Sequence, residues 1–408
     1  MILSTQGLIG QIKQMRWLQS NLQKPKLGLV LPGGGARAAY QVGVLRALSR
    51  ILPKNAPSPF PIITGTSAGS INAVALAIHA QHFRKGVLRI SRVWENFHVN
   101  HVYRADTRSL LRNSGHWMSA LLLGGLGKYN PTSLLDRAPL RPLLQRSLPC
   151  HTIQNAVDSG NLLALGITAS NYDSGQSVTF FQGDESIHDW NRERRVGIRQ
   201  DITLDHLMAS SAIPFIFEAE RLNNEYYGDG SMRQIAPLSP AVHLGADRLL
   251  VVGIRKRPVD EPLDDSPHSY PSLAQVAGHA LNSIFLDSLD MDLERLKRIN
   301  KTIRLISDKK LEQGGVTLRP VDVLTIAPSQ SIDEIAARHI HRLPRTLRFL
   351  LRGVGAVGEH GATVTSYLLF EKAFCRELIM LGYRDAIQRR DKILQFLDTE
   401  QEYVADEE

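Results

Sequence analysis

The chain has 408 residues, of which 43% are hydrophobic and 22% charged, with a formal net charge of +8 and a sequence pI near 9.5. Such a chain buries a large core, while two cysteines, Cys150 and Cys375, exclude a disulfide framework, and the absence of a run of about 18 uncharged apolar residues excludes a helical membrane span. The basic balance favours anionic partners, a phospholipid headgroup plane or nucleic acid among them, and two cysteines fit a reducing compartment.

In chain order, the first 25 residues lack the layout of a secretory leader. Ile9, Ile12, Met15, Trp17 and Leu18, interspersed with Lys13, Arg16 and Lys24, make an amphipathic helix that either docks on the body of the protein or lies on a membrane. Residues 26–31 read as a strand that runs into Pro32-Gly33-Gly34-Gly35-Ala36-Arg37 and then a helix over 38–52. Three successive glycines let backbone N–H groups converge on one small space, and the following helix N-terminus favours negative charge there. A phosphate cradle and an oxyanion hole compete for this loop. The dinucleotide fingerprint fails because Ala38 stands where the third glycine belongs, and no Gly-Lys-Ser/Thr follows.

Residues 61–64 form a second strand, and the helix former 68–80 follows Gly65-Thr66-Ser67-Ala68-Gly69. A serine between glycines at a strand-to-helix turn is the pattern of a nucleophile elbow; side chains at Gly65 and Gly69 would collide with neighbouring backbone. The βαβ connection sets the glycine loop and Ser67 side by side at the carboxyl ends of their strands, with Arg37 close by. A nucleophile beside backbone donors suits ester or thioester hydrolysis.

Helices are expected at 85–96 and 134–146, around a cap-like insertion at about 100–150. There Leu110, Leu111, Trp117, Met118, Leu121, Leu122 and Leu123 line an acyl-chain groove, touch a membrane, or pack as a plain buried hairpin. Strands follow at 162–170 and 177–182, then a helix from His206 that stops before Pro214. A short strand at 225–227 leads into Gly228-Asp229-Gly230. An aspartate between glycines commonly satisfies its own turn; downstream of an elbow serine and a glycine loop it is also the best base candidate. Beyond it come a strand at 247–254, a helix at 273–300 and strands at 302–306 and 321–326. The remainder, 332–399, is helical, and its basic portion (Arg338, His339, His341, Arg342, Arg345, Arg348, Arg352) makes a solvated face or meets an anionic membrane.

The three motifs together, Gly33-Gly34-Gly35-Ala36-Arg37, Gly65-Thr66-Ser67-Ala68-Gly69 and Asp229-Gly230, resemble those of the patatin-like phospholipase family in kind and order over about residues 26–254. The resemblance implies an α/β fold, a three-layer α/β/α sandwich on a mostly parallel central sheet, here with a C-terminal helical extension. It implies a lipid acyl hydrolase, a phospholipase A, lysophospholipase or related esterase, with Ser67 as nucleophile and Asp229 as general base. Gly33, Gly34, Gly35 and Ala68 then form the oxyanion hole, Gly65 and Gly69 support the elbow, and Arg37 orients the loop or meets a substrate phosphate. No metal or other cofactor is implied. A lipid or acyl-ester substrate and an anionic membrane surface are the expected partners, and nucleic acid is not. Pro32, Ala38 and Ser231 depart from the family pattern without removing a reacting group.

The expected domains are an amphipathic segment over 1–25, a catalytic domain over 26–328 and a helical extension with an acidic tail over 329–408, in a cytoplasmic protein able to attach to the inner face of a membrane. Competing readings are a thioesterase or neutral-lipid esterase on the same two residues, a catalytically silent lipid-binding or nucleotide-binding protein, and a Ser-His-Asp hydrolase using His339, His341 or His360.

Overall fold

Ten strands form one sheet in the computed structural model, which describes residues 25–123, 132–256, 270, 272–314, 318–353, 356 and 362–397. They are β1 (Leu27–Leu31), β2 (Ile62–Thr66), β3 (Ala164–Asn171), β4 (Ser177–Gly183), β5 (Trp190–Arg192), β6 (Arg195–Arg199), β7 (Glu220–Leu222), β8 (Glu225–Asp229), β9 (Arg248–Val252) and β10 (Asp322–Ile326). The order is β10-β9-β1-β2-β3-β4-β6-β5, and from β10 through β3 every neighbour is parallel. From β3 onward the sheet is mixed: β4 and β8 run antiparallel to β3, and β7 adds to β8 as a hairpin.

The central strands are continuous apolar runs because both faces of the sheet are covered. Leu29, Leu31, Ile63, Leu165, Ile167, Leu250 and Val252 enter one core, while the alternate residues Val30, Ile62, Ala164, Leu249 and Val251 enter a second on the opposite face. The first core is roofed by α1 (Ala39–Ile51), α2 (Ala68–Ala77) and α3 (Phe83–Glu95), the second by the helices Ser239–His243 and Ser288–Ile303. That is a helix–sheet–helix sandwich. Among the described residues no helix is long and apolar enough to cross a membrane.

The helix Lys372–Ile387 makes the most extensive element-to-element contact of the described structure, against α1. Two glycines permit it: a Cβ on Gly43 would stand 2.1 Å from the Ile379 carbonyl oxygen, and one on Gly382 2.2 Å from that of Tyr40. The Tyr40 hydroxyl completes the seam by donating to Asp385 at 2.9 Å.

Several expected elements come out differently. Residues 302–306 are not a strand: the helix Ser288–Ile303 continues through Thr302, because Ile303 faces the core one helical turn on and Asn300 is pinned to the Val321 backbone. The helix expected from 134 begins only at Leu140, after Pro139. Leu134 and Leu135 instead donate their amides to the carbonyls of Phe215 and Ile216. The helix at 273–300 is interrupted by a π-helical turn at Ser283–Asp287, and strands β5, β6 and β7 were not expected at all. The amphipathic segment over residues 1–24 and the acidic tail lie outside the described residues.

Candidate functional site

Strand register alone brings the motifs together. Leu31 of β1 is paired with Gly65 of β2, so Gly33 and Ser67, each two residues further on, leave the sheet side by side. Thr66 is level with Thr168 of β3, whose other edge is filled by β4. Where β2 ends, β8 takes over the same edge, with Asp229 opposite Ala169. The serine and the aspartate therefore meet at the junction of two strands that share one edge of β3.

Ser67 sits at φ 52° and ψ −131°, a backbone conformation that costs a side-chain-bearing residue about 1–3 kcal/mol and persists only when its surroundings dictate it. Its N–H donates to Ser210 Oγ at 2.9 Å, and Ser210 Oγ in turn donates to the Thr168 carbonyl at 2.7 Å. Its carbonyl accepts from the Ser70 hydroxyl at 2.5 Å and the Ser70 amide at 2.9 Å. Gly69 lets the helix close in, since a Cβ there would stand 2.1 Å from the Leu31 carbonyl oxygen. The hydroxyl consequently lies at the N-terminus of α2, against Gly33, where any Cβ would come within 2.9 Å of Ser67 Cβ and 2.5 Å of Ser231 Oγ.

The glycine loop is braced from below. Gln41 donates to the Pro32 carbonyl at 2.8 Å, Asn72 to Gln41 at 2.9 Å and Trp94 to Asn72 at 2.9 Å, all of them buried. The loop's internal bond runs from the Arg37 amide to the Gly34 carbonyl at 3.1 Å. Gly35 adopts φ +54°. Arg37 faces away: its guanidinium is 2% exposed and engaged with Ser366, Asp333 and the ring of Tyr367, so the expected contact with a substrate phosphate is not available to it.

Asp229 is fully buried, and burial raises its pKa to about 6 against the opposing pull of Ser67, the Ser231 amide and hydroxyl, and Arg137. Oδ1 accepts from the Ser231 amide at 2.9 Å, whereas Oδ2 has no partner at hydrogen-bond geometry. The Ser67 hydroxyl is thus near enough to favour the carboxylate without reaching hydrogen-bond geometry on Oδ2.

Ser67 opens on a narrow cleft with a cavity volume of about 80 Å³. One face of α2 forms its floor through Ala68, Ile71, Ala75 and Ile78, residues three and four apart, and Ile90, Trp94, Leu144 and Phe217 stand among its walls. From Ser67 to His79 it follows the ten residues of α2, about 15 Å. Of the insertion at about 100–150, Val102 and the helix Leu140–Ser147 supply lining, but not the apolar cluster at 110–123: Met118 is exposed, Leu122 is 77% exposed, Trp117 donates to the Ser133 carbonyl, and the side chains of Leu110, Leu111 and Leu121 lie outside the description. His339 is bound to Glu377 at 2.6 Å, and neither it nor His341 lines the cleft; His360 lies outside the described residues.

Sequence reading brought out Ser67, Asp229 and the glycines, and missed Ser210, Ser70, Gln41 and Asn72, which hold them. The available signal was weak: isolated polar residues on otherwise apolar helix faces, as Asn72 is within Ala68–Ala77. Among the described residues no cluster of three His, Cys, Asp or Glu side chains could hold a metal ion.

A family model described as patatin-like phospholipase matches residues 29–242, just over half of the 408. Two solved structures are similar at low identity. VipD from Legionella pneumophila is 12% identical with a TM-score of 0.32, over 90% of this chain and 67% of that one. Human GIVD cytosolic phospholipase A2, solved in complex with methyl gamma-linolenyl fluorophosphonate, is 12% identical with a TM-score of 0.41, over 92% of this chain and 59% of that one. The chain thus spans about two thirds of the length of the first and less than two thirds of the second. No curated protein matches it.

The raised pKa of Asp229 has a direct readout. The carboxyl is protonated below about pH 6 and ionised above it, so labelling of Ser67 by a fluorophosphonate should accelerate as pH rises through about 6. Ser231→Ala removes a hydroxyl that favours the ionised form, so the midpoint should move to higher pH. A pH-independent labelling rate between 5 and 8 would separate Asp229 from the reactivity of Ser67.

Proposed function

Because the chain belongs to the patatin-like phospholipase family, we propose that it hydrolyses carboxylic esters of lipids, with Ser67 as nucleophile and Asp229 as the base that activates it. The Ser67 hydroxyl passes its proton to Asp229 Oδ2 as its oxygen adds to the acyl carbonyl. The amides of Gly34, Gly35 and Ala68 stabilise the resulting oxyanion, with Gly33 packed beside the reacting oxygen; each such donor is worth about 2.7–4 kcal/mol. Asp229 returns the proton to the departing alcohol, leaving an acyl-enzyme. A water molecule, deprotonated by Asp229, then releases the fatty acid and regenerates Ser67.

The observation that carries this reading is the union of a strained serine, an adjoining buried carboxylate and an apolar cleft that runs the length of α2 from that serine. The apolar lining of the cleft suits a hydrocarbon chain, and at about 80 Å³ the cleft must widen to take a long one; a short polar acyl group gains nothing from it. Thioesters and neutral lipids present the same carbonyl, and the reading extends to them.

Ser67→Ala should abolish both ester hydrolysis and fluorophosphonate labelling while the protein melts as the parent does. Asp229→Asn keeps the shape and removes the basic oxygen, and should cost about 10³-fold or more in kcat. Retention by Ser67→Ala of more than about one hundredth of the parent rate, or an active Asp229→Asn, refutes the assignment; an unreactive Ser67 in the parent protein would favour a silent lipid-binding role.

Ala75 lies halfway along the cleft floor, so Ala75→Leu should reduce kcat/KM for long-chain esters about tenfold or more relative to butyryl esters. An unchanged ratio would mean that the chain lies elsewhere.

Attachment to an anionic membrane belongs to the same reading. On the helix Arg345–Gly353, Leu347 and Leu351 face the core, while Phe349 is 75% exposed beside Arg345, Arg348 and Arg352. Co-sedimentation with phosphatidylglycerol vesicles should weaken as salt rises. Binding that is absent at low salt, or indifferent to it, removes the electrostatic component.

A further inference from the structure

The glycine loop is held from a part of the chain that the family model does not cover. Arg37 Nε donates to Ser366 Oγ at 2.8 Å and Nη2 to Asp333 Oδ1 at 2.5 Å, with the guanidinium carbon 4.3 Å from the centre of the Tyr367 ring. Asp333 gathers further donors. The Ser366 hydroxyl lies 3.0 Å from its Oδ1, and the Thr363 hydroxyl donates to its Oδ2 at 3.2 Å. It stands in the first turn of the helix Ile332–His339, where the helix dipole favours a carboxylate. Backbone contact reinforces the tether, since a Cβ on Gly35 would stand 2.3 Å from the Tyr367 carbonyl oxygen.

A guanidinium as deeply buried as that of Arg37 is stable only while its partners remain. Were the carboxylate lost, the side chain would be driven toward water, and its own amide is bonded to the Gly34 carbonyl at 3.1 Å. Movement of Arg37 therefore becomes movement of Gly34 and Gly35, the residues whose amides the proposed function assigns to the oxyanion. We propose that Asp333 is a positioning residue for this loop, acting through Arg37, so that the site is complete only when the helices Ile332–His339 and Ala362–Leu368 are seated on it. The kinetic part of this inference rests on the proposed function; the structural part does not.

The test uses the full chain carrying Asp333→Ala, Asp333→Asn or Asp333→Glu, with Ser67→Ala in parallel. Amide hydrogen exchange is followed by mass spectrometry, and steady-state kinetics are measured on one long-chain ester. In Asp333→Ala, exchange over residues 32–38 should accelerate while peptides from β3 and β4 keep the parent rate. The kcat should fall about 10- to 100-fold, short of the loss of a whole oxyanion donor, with KM within about threefold of the parent. Asp333→Glu should recover part of the loss, and Asp333→Asn should lie between. Unchanged exchange over 32–38 in both Ala and Asn variants overturns the inference, as does an unchanged kcat or a loss that Glu does not relieve. If Asp333→Ala fails to fold, Asp333→Asn, which keeps the shape, is read by the same criteria. Should the parent prove no more active than Ser67→Ala, the proposed function falls, and the exchange over 32–38 still decides the tether.

Discussion

Everything at the candidate site depends on one backbone conformation, that of Ser67. A residue with a side chain does not rest at φ 52° and ψ −131° by preference, so neighbours must make every alternative worse. Ser210 takes its amide and Ser70 its carbonyl, while Gly65 and Gly69 let strand and helix backbones approach to distances no Cβ would allow. The rigid frame behind these contacts is the parallel core of the sheet, whose register sets Gly33 beside Ser67 and Asp229 just past the end of β2. Strain at one residue is thus maintained by the cohesion of five strands.

Burial gives the carboxylate its character. In water Asp229 would be a weak base, ionised over nearly the whole accessible pH range; fully buried, it holds its proton more tightly, its pKa raised to about 6. The Ser67 hydroxyl, the Ser231 donors and the cation of Arg137 keep it from rising further, so the group remains ionised at neutral pH while gaining basicity. One oxygen is held by the Ser231 amide and the other is left open toward Ser67, a division of labour that fixes the group without exhausting it.

Local chemistry was legible in the sequence, and long-range chemistry was not. Glycines at close approaches and a β-branched run before a helix former are consequences of short-range sterics, so the loop, the elbow and most strands of the parallel core could be read directly. The braces could not. Gln41, Asn72 and Ser210 look like stray polar residues until the fold brings a carbonyl or an amide to each, and Arg37 meets Asp333 across 296 residues of chain. Thr302 to Ile306 has the β-branched composition of a strand, and packing of Ile303 overrode it in favour of a helix end at Ile303 and a turn over 304–306. The cleft was misplaced for a similar reason. Its floor is a helix whose apolar residues cover nearly every face, whereas the cap offered an obvious apolar cluster of which Met118, Leu122 and Leu123 face solvent.

The position of β9 bears on how the protein can be divided. β1 lies between β2 and β9, and β9 is supplied by residues beyond position 242, where the family match ends. A fragment cut at that boundary would keep the serine, the aspartate and the glycine loop and still be defective. Leu27 to Leu31, buried at every position, would become an open, uncharged sheet edge with unpaired amides and carbonyls, the kind of surface that recruits other chains into aggregates. The smallest autonomous unit is therefore set by the need to close a hydrogen-bonding edge, not by the span of the motifs.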